Sequence, residues 1–376
     1  RRIDAETALP VTTIKTEDLV KQGVTNVEQA MQRLSSNQSS LMNSSSVGQT
    51  TGGKSEADLR GLAAPTASNA NKTLVLLNGR RMANHSFDSA AVDLNAIPLA
   101  AIDRIEVLRD GASAIYGTDA IGGVINFIIK RNFQGVEIGG SMTHPEAGSP
   151  GATRRANVVA GFGSLDEDRF NILATLDYRK QNALPAIARR FSRTGILGTT
   201  RGDILAGTSG TSFPGDVDGF EPSGPKCAPP ASVPVATAAD PNVFSGCRYD
   251  FSQSVDLIPS NEQLTGFLRG TFALTPDHRL GAEYVYSNYK SVARVAAAPT
   301  SHLIQATSPY YPVGAPSRDL AKIIPFFGVT DPNPGGATLG GSANWRQVPA
   351  GQRTSGDDTT TSRFLVDLEG SLGDGV

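Results

Sequence analysis

Hydrophobic and polar positions follow two different rhythms along the chain, and the change falls near residue 131. Before it, apolar residues come at helical spacing or in short runs. Residues 16–34 set Leu19, Val20, Val27, Ala30, Met31 and Leu34 on one broad face, which predicts helix. Gly23 interrupts that face, so two short helices are expected, the second capped by Thr25 or Asn26. TLVLLNG (73–79) predicts a strand closed by an Asn-Gly turn, with GRRMA returning along it. RIEVLRDG (104–111) and VINFIIK (124–130) predict two further strands, separated by the one-turn cluster GASAIYG. Runs this apolar are expected to be buried on both faces.

After about residue 135 the period becomes two. In 169–179, Phe170, Ile172, Ala174, Leu176 and Tyr178 face one way and Asn171, Thr175, Asp177 and Arg179 the other. In 263–274, Leu264, Leu268, Phe272 and Leu274 oppose Gln263, Thr265, Arg269 and Thr271. In 279–289, Leu280, Ala282, Tyr284 and Tyr286 oppose Glu283 and Ser287. In 363–372, Phe364, Val366, Leu368 and Leu372 oppose Arg363, Asp367, Glu369 and Ser371. Segments 136–142 and 156–162 are weaker cases, making six strands.

The connections alternate in length. GSLDED (163–168) and TPDH (275–278) are tight, whereas 182–262 and 291–360 are long. Short turns at one end, long loops at the other, and strands apolar on one face and charged on the other make the pattern of an outer-membrane β-barrel. Tyr178 and Tyr286 lie near strand ends, where aromatic girdles form. A soluble antiparallel sandwich alternates too and stays open as a reading. Six strands with loops this long do not close a barrel, and the turn signal Gly373-Asp374-Gly375 follows a strand, so further strands are expected.

Composition narrows the classes. Of 376 residues, 39% are hydrophobic and 19% charged, with a net charge of −2, so no basic field points to nucleic acid. No apolar run reaches the ~18 residues of a transmembrane helix; crossing strands need only about 9–11 alternating residues. The chain opens at Arg1 without a signal pattern, which suggests processing or a piece of something longer. Two cysteines and four scattered histidines do not suggest a zinc site. A disulfide between Cys227 and Cys247 within a long loop is expected, and with it an oxidising compartment.

GQTTGGKS (48–55) satisfies the P-loop pattern. A working P-loop needs a buried strand before it and a helix after it. LMNSSSV precedes it and is too polar; EADLRGLAAP follows, and Gly61 and Pro65 leave hardly two turns of helix. No nucleotide site is expected. Nor is any catalytic residue, cofactor or metal: GASAIYG has Ile115 where a nucleophile elbow needs Gly, and Asp216, Asp218 and Glu221 lack EF-hand spacing.

RIEVLRDGASAIYGTDAIGGVINFIIKR (104–131) resembles the plug-domain signature of TonB-dependent outer-membrane receptors. VTTIKTEDL (11–19), GVTNVEQAM (23–31), ADLRGL (57–62), LVLLNGRR (74–81) and DLNAIP (93–98) agree with it in order and spacing. The resemblance implies an α+β plug domain over 1–131, followed over 132–376 by part of an antiparallel transmembrane β-barrel, incomplete in this chain, with extracellular loops at 182–262 and 291–360. It implies a receptor in the outer membrane of a Gram-negative cell. Such a receptor binds a scarce nutrient (siderophore-iron, vitamin, oligosaccharide or peptide) and imports it to the periplasm with energy from TonB. TonB grips a short box just before the plug, which is missing ahead of Arg1. Partners would be TonB, the nutrient and outer-membrane lipid, with no nucleic acid. The apical plug loops would carry the ligand contacts, Gln49, Thr50, Lys54, Ser55, Asn84 and His85; a solvated loop touching nothing is the alternative for 48–55. Arg60, Glu106 and Arg109 would couple plug to barrel wall, with Glu283, Asp367, Glu369 and Arg269 as partners; the alternative is surface salt bridges of little energy. For the whole chain, a secreted or surface β-rich adhesin without transport activity is the competing reading.

Overall fold

The structure, a computed structural model, describes residues 11–39, 55–62, 72–85, 91–109, 112–146, 148, 150–195, 207–217, 227–236, 244–304 and 341–370. The chain forms two compact units, one of Arg1–Ala183, Ile258–Val292 and Gly356–Val376, the other of Leu184–Leu257 and Ala293–Ser355.

The first unit begins with a small α+β domain. Strand β1 (Val11–Lys15) leads into helices α1 (Thr16–Lys21) and α2 (Val27–Gln32). The Asn26 side chain caps α2 by accepting from the Gln29 amide at 2.9 Å, while Gln29 Oε1 accepts from the Thr25 amide and hydroxyl. Both residues expected at the cap therefore take part, as a reciprocal box. Strands β2 (Thr73–Leu77), β3 (Arg80–Arg81), β4 (Ile102–Leu108) and β5 (Gly123–Ile129) complete a sheet in the order β1-β4-β5-β2-β3, with the short helix α3 (Ser113–Tyr116) before β5. Pairing of β2 with β5 is parallel and the rest antiparallel. Both faces are buried. Val75, Leu77, Ile105, Val107, Ile125 and Phe127 pack with Leu19, Val27 and Met31, whereas Leu74, Leu76, Leu108 and Val124 pack with Ala112 and Ala120 on the other side. Asn78 (φ 51°) and Gly79 (φ 76°) make the β2–β3 turn. Two successive positive φ values are what a tight hairpin asks for, and Asn-Gly meets that demand at least cost.

Six longer strands follow: β6 (Gly135–Thr143), β7 (Thr153–Phe162), β8 (Phe170–Gln181), β9 (Ser260–Ala273), β10 (His278–Val295) and β11 (Arg353–Gly370). They form one sheet in the order β11-β10-β9-β8-β7-β6, and neighbours from β6 to β10 pair antiparallel. Among the described residues its two edges do not meet. The alternation read from sequence is the alternation of its faces. Ile138, Phe162, Ile172, Leu176, Leu268, Phe272, Phe364, Val366 and Leu368 are exposed on one side. On the other side Val159, Leu173, Phe267 and Val285 are buried in the same core as the N-terminal helices and strands. Register aligns Val159, Thr175, Phe267 and Val285 along one rung. The hydrophobic core therefore runs unbroken past residue 131, although the secondary structure changes there. Among the described residues no helix is long and apolar enough to cross a membrane.

The second unit is built from the long connections. They hold more regular structure than their sequence suggests. Ser232–Ala236, Phe244–Asp250 and Thr208–Ser209 form one three-stranded sheet; Asp216–Val217, Gly341–Arg346 and Pro299–Ile304 form another. Cys227 and Cys247 are disulfide-bonded with their Cα atoms 5.6 Å apart. Buried Arg346 lies over the rings of Tyr249 (4.6 Å) and Phe251 (5.1 Å) and donates to the Thr211 and Ala297 carbonyls and to Ser209 Oγ. Burial pulls its guanidinium below the usual range, and Tyr249 opposes that shift.

Two outcomes follow from this packing. Phe267→Ala is expected to lower stability by about 3–5 kcal/mol, the cost of emptying a buried aromatic site, and Phe272→Ala on the exposed face by much less; thermal unfolding in detergent of the two variants checks the pair. Replacing Cys227 and Cys247 together by Ser is expected to cost the second unit about 3 kcal/mol, read as faster limited proteolysis within 184–257.

Candidate functional site

The seam between the N-terminal domain and the inner face of the sheet holds a cluster of buried charge. Period-two alternation turns Arg269 of β9 and Glu283 of β10 to the same side, and register sets them opposite each other. Arg269 Nη1 lies 3.0 Å from Glu283 Oε2, and Nη2 lies 3.3 Å from Asp367 of β11. Arg363 of β11 donates to Glu283 Oε1. Two guanidinium and two carboxylate groups thus cancel in a buried cluster. Neutrality is the condition for keeping such groups out of water, since breaking one partner strands another.

The N-terminal domain reaches this cluster through its hairpin turn. Asn78 Nδ2 donates to Glu283 Oε2 at 3.0 Å, and Asn78 Oδ1 accepts from the Ile129 amide at 3.0 Å. One side chain thereby joins β5, the turn and the wall. Behind it the buried Asn126 accepts from the Gly79 amide at 2.8 Å and donates to Glu106 at 3.2 Å. A second tie runs from the Asn95 carbonyl, which accepts from Gln263 Nε2 and from Ser287 Oγ. A third joins Arg131 to Glu369 at 3.4 Å, both half exposed. A cavity of about 890 Å³ opens beside Asn78 and is lined by Arg80, Arg104, Tyr116, Arg131 and Glu369 among others.

The residues expected from sequence divide unevenly around this seam. Gln49, Thr50 and Lys54 lie outside the described residues. Ser55 is fully buried. Its hydroxyl donates to Glu28 at 2.5 Å and accepts from Asn95, its amide donates to Asp93, and its carbonyl accepts from the Leu94 amide. That placement corrects the expectation of a ligand-facing hydroxyl, because buried Glu28 on α2 holds it inward. His85 is buried, with Nε2 3.5 Å from Thr359 Oγ1, while Asn84 is exposed beside a cavity of about 60 Å³.

Of the three residues expected to couple the domains, Arg60 and Arg109 are exposed, and among the described residues neither makes an ion pair. Arg60 (φ 70°) sits in a turn, its amide donating to the Ser36 carbonyl. Glu106 is fully buried, but its ion-pair partner is Arg104 of its own strand, at 2.8 Å. Burial works against the Arg104 charge, and the bonds from Glu106 and Asp103 outweigh it and raise its pKa. Of the four wall residues, Glu283 and Glu369 do receive bonds from the domain, but from Asn78 and Arg131. Asn78 was legible only as a turn residue. Among the described residues no group of three or more His, Cys, Asp or Glu side chains could hold a metal.

Residues 4–124 match the family model described as TonB-dependent Receptor Plug Domain. The N-terminal domain is therefore a plug of the TonB-dependent receptor kind, followed here by an open antiparallel sheet. Solved structures with a similar chain path include the siderophore receptor PirA from Pseudomonas aeruginosa, at 18% identity and TM-score 0.40 over 81% of this chain and 40% of that one. A variant of the ferric enterobactin receptor PfeA from the same organism matches at 15% identity and TM-score 0.47, over 96% of this chain and 50% of that one. The chain spans half or less of the length of these two structures.

Asn78→Gly keeps the positive φ and removes the bond to Glu283, so it is expected to leave the hairpin intact while loosening the seam by about 1–3 kcal/mol. Asn78→Asp sets a second carboxylate against Glu283 and is expected to loosen it further. Hydrogen exchange at the Ile129 and Gly79 amides separates the two effects.

Proposed function

We propose that the chain is part of an outer-membrane receptor that binds a scarce nutrient and imports it to the periplasm with energy delivered by TonB through a box upstream of the plug. The observation that carries this reading is the opposition of the two faces of one sheet. The inner face is sealed by the plug, and the outer face presents an apolar band that nothing among the described residues covers. On β9 that band runs from Leu264 to Phe272, about 26 Å along the strand, close to the ~25 Å apolar belt of outer-membrane barrels. Its edges are aromatic. Phe162 and Phe170 pack 5.7 Å apart at the end with the tight turns, and Tyr178 lies towards the other end. An adhesin without transport activity has no use for a domain wedged against a buried, charge-neutral wall. The nutrient is siderophore-iron, a vitamin, an oligosaccharide or a peptide, and on this reading its contacts come from the long connections and the apical plug loops.

The test is uptake by cells expressing the full-length receptor, with and without TonB, over a panel of ferric siderophores, cobalamin and oligosaccharides. Uptake of one compound that needs both proteins is expected. Receptor that fractionates as soluble protein and stays monodisperse without detergent would sink the reading and favour the adhesin.

A further inference from the structure

Asn78-Gly79 is the only Asn-Gly pair in the chain. It forms the β2–β3 turn, with φ 51° at Asn78 and 76° at Gly79. Asparagine before glycine is the pairing most prone to lose its side-chain amide, because glycine has no Cβ to shield its nitrogen or restrict its conformation. The Gly79 nitrogen attacks Cγ of Asn78 and closes a succinimide ring. The Cγ–Nδ2 bond breaks, and ammonia leaves with the Gly79 proton. Water then opens the ring at either carbonyl, giving aspartate or isoaspartate. One water is consumed, one ammonia is released, and no oxidant or reductant enters.

In the seated plug the reacting groups are engaged elsewhere. The Gly79 amide donates to Asn126 Oδ1 at 2.8 Å. Asn78 Nδ2, the leaving group, donates to Glu283 at 3.0 Å, and Asn78 Oδ1 accepts from the Ile129 amide at 3.0 Å. Turning the carboxamide onto the Gly79 nitrogen means breaking these bonds, and the one to Glu283 crosses the seam. Asn78 and Gly79 are half-buried and line the cavity of about 890 Å³, so water has a route to the ring. We propose that Asn78-Gly79 is a spontaneous deamidation site gated by the seam, protected while the plug is seated and converted when the turn parts from Glu283. The product marks that opening permanently. Aspartate sets a carboxylate against Glu283 where a donor stood, and like charges oppose re-seating. Isoaspartate adds a main-chain carbon to a two-residue turn, which then no longer fits the β2–β3 register. The inference concerns the seam alone and is independent of what the protein carries.

Ageing the full-length protein in detergent at mildly alkaline pH, with mass spectrometry of the tryptic peptide 73–80, tests it. Conversion is expected to be slow in the native protein and fast in the same protein unfolded in urea. Glu283→Ala should speed it roughly tenfold, the opening expected from losing one hydrogen bond to a charged group. Urea below the unfolding midpoint should speed it in the unaltered protein too, so the result does not depend on that variant folding. Phe272→Ala on the outward face should change nothing. Converted protein, separated by its added charge, should exchange its β3 amides faster than unconverted protein. Equal rates in native and unfolded protein, indifference to both Glu283→Ala and sub-denaturing urea, or unchanged β3 exchange after conversion would overturn the proposal.

Discussion

A strand has two faces and no more, and here one face of β7, β8, β9 and β10 is committed to the plug. That commitment governs what the inner positions hold. Phe267 and Val285 give the plug an apolar footing at mid-height. Around them, Arg269 and Arg363 are answered by Glu283 and Asp367, and Arg155 by Asp177, whereas among the described residues the buried Thr175 and Tyr289 hydroxyls have no hydrogen-bond partner. A buried ion pair adds little net stability over an apolar pair, yet it is expensive to leave half-made. The seam is consequently specific without being greasy. The plug has one seat in which the Glu283 cluster and the Asn95 carbonyl are both satisfied.

The parts of this arrangement that depend on local spacing could be read from sequence. Period-two alternation gave the orientation of Leu264, Leu268 and Phe272 against Thr265 and Arg269, because the pleat forces it. Asn-Gly gave the β2–β3 turn, and the choice of Thr25 or Asn26 gave the start of α2, because those conformations and caps are met within a few residues. Partner choice was not legible. Glu106 looks as available to a wall arginine as to Arg104, and only the fold, which buries it beside Arg104 and Asn126, decides. Ser55 closes a glycine- and serine-rich stretch and reads as loop; its burial is fixed by Glu28, Asp93 and Asn95, which are distant in sequence. β1 was missed as a strand because VTTIK acquires its pairing from β4 rather than from its own pattern.

The long connections teach the same lesson. Their composition gives no clear period, yet Ser232–Ala236 pairs with Phe244–Asp250 and Cys227–Cys247 ties that stretch covalently. Short strands in such segments are set by cross-strand partners and by the covalent tie, neither of which hydrophobic spacing reports. The outward face of the long sheet is the opposite case. Its apolar positions follow from the pleat alone, and nothing among the described residues packs on them.

Arg346 holds a different kind of consequence. Its single guanidinium touches the chain at Ser209, Thr211, Tyr249, Phe251 and Ala297, which come from three separate stretches of the sequence. Structures knotted at one point do not fray segment by segment. They hold as a block until the knot slips and then come apart together, so a surface made in this way answers a disturbance at one margin with a change at all of them.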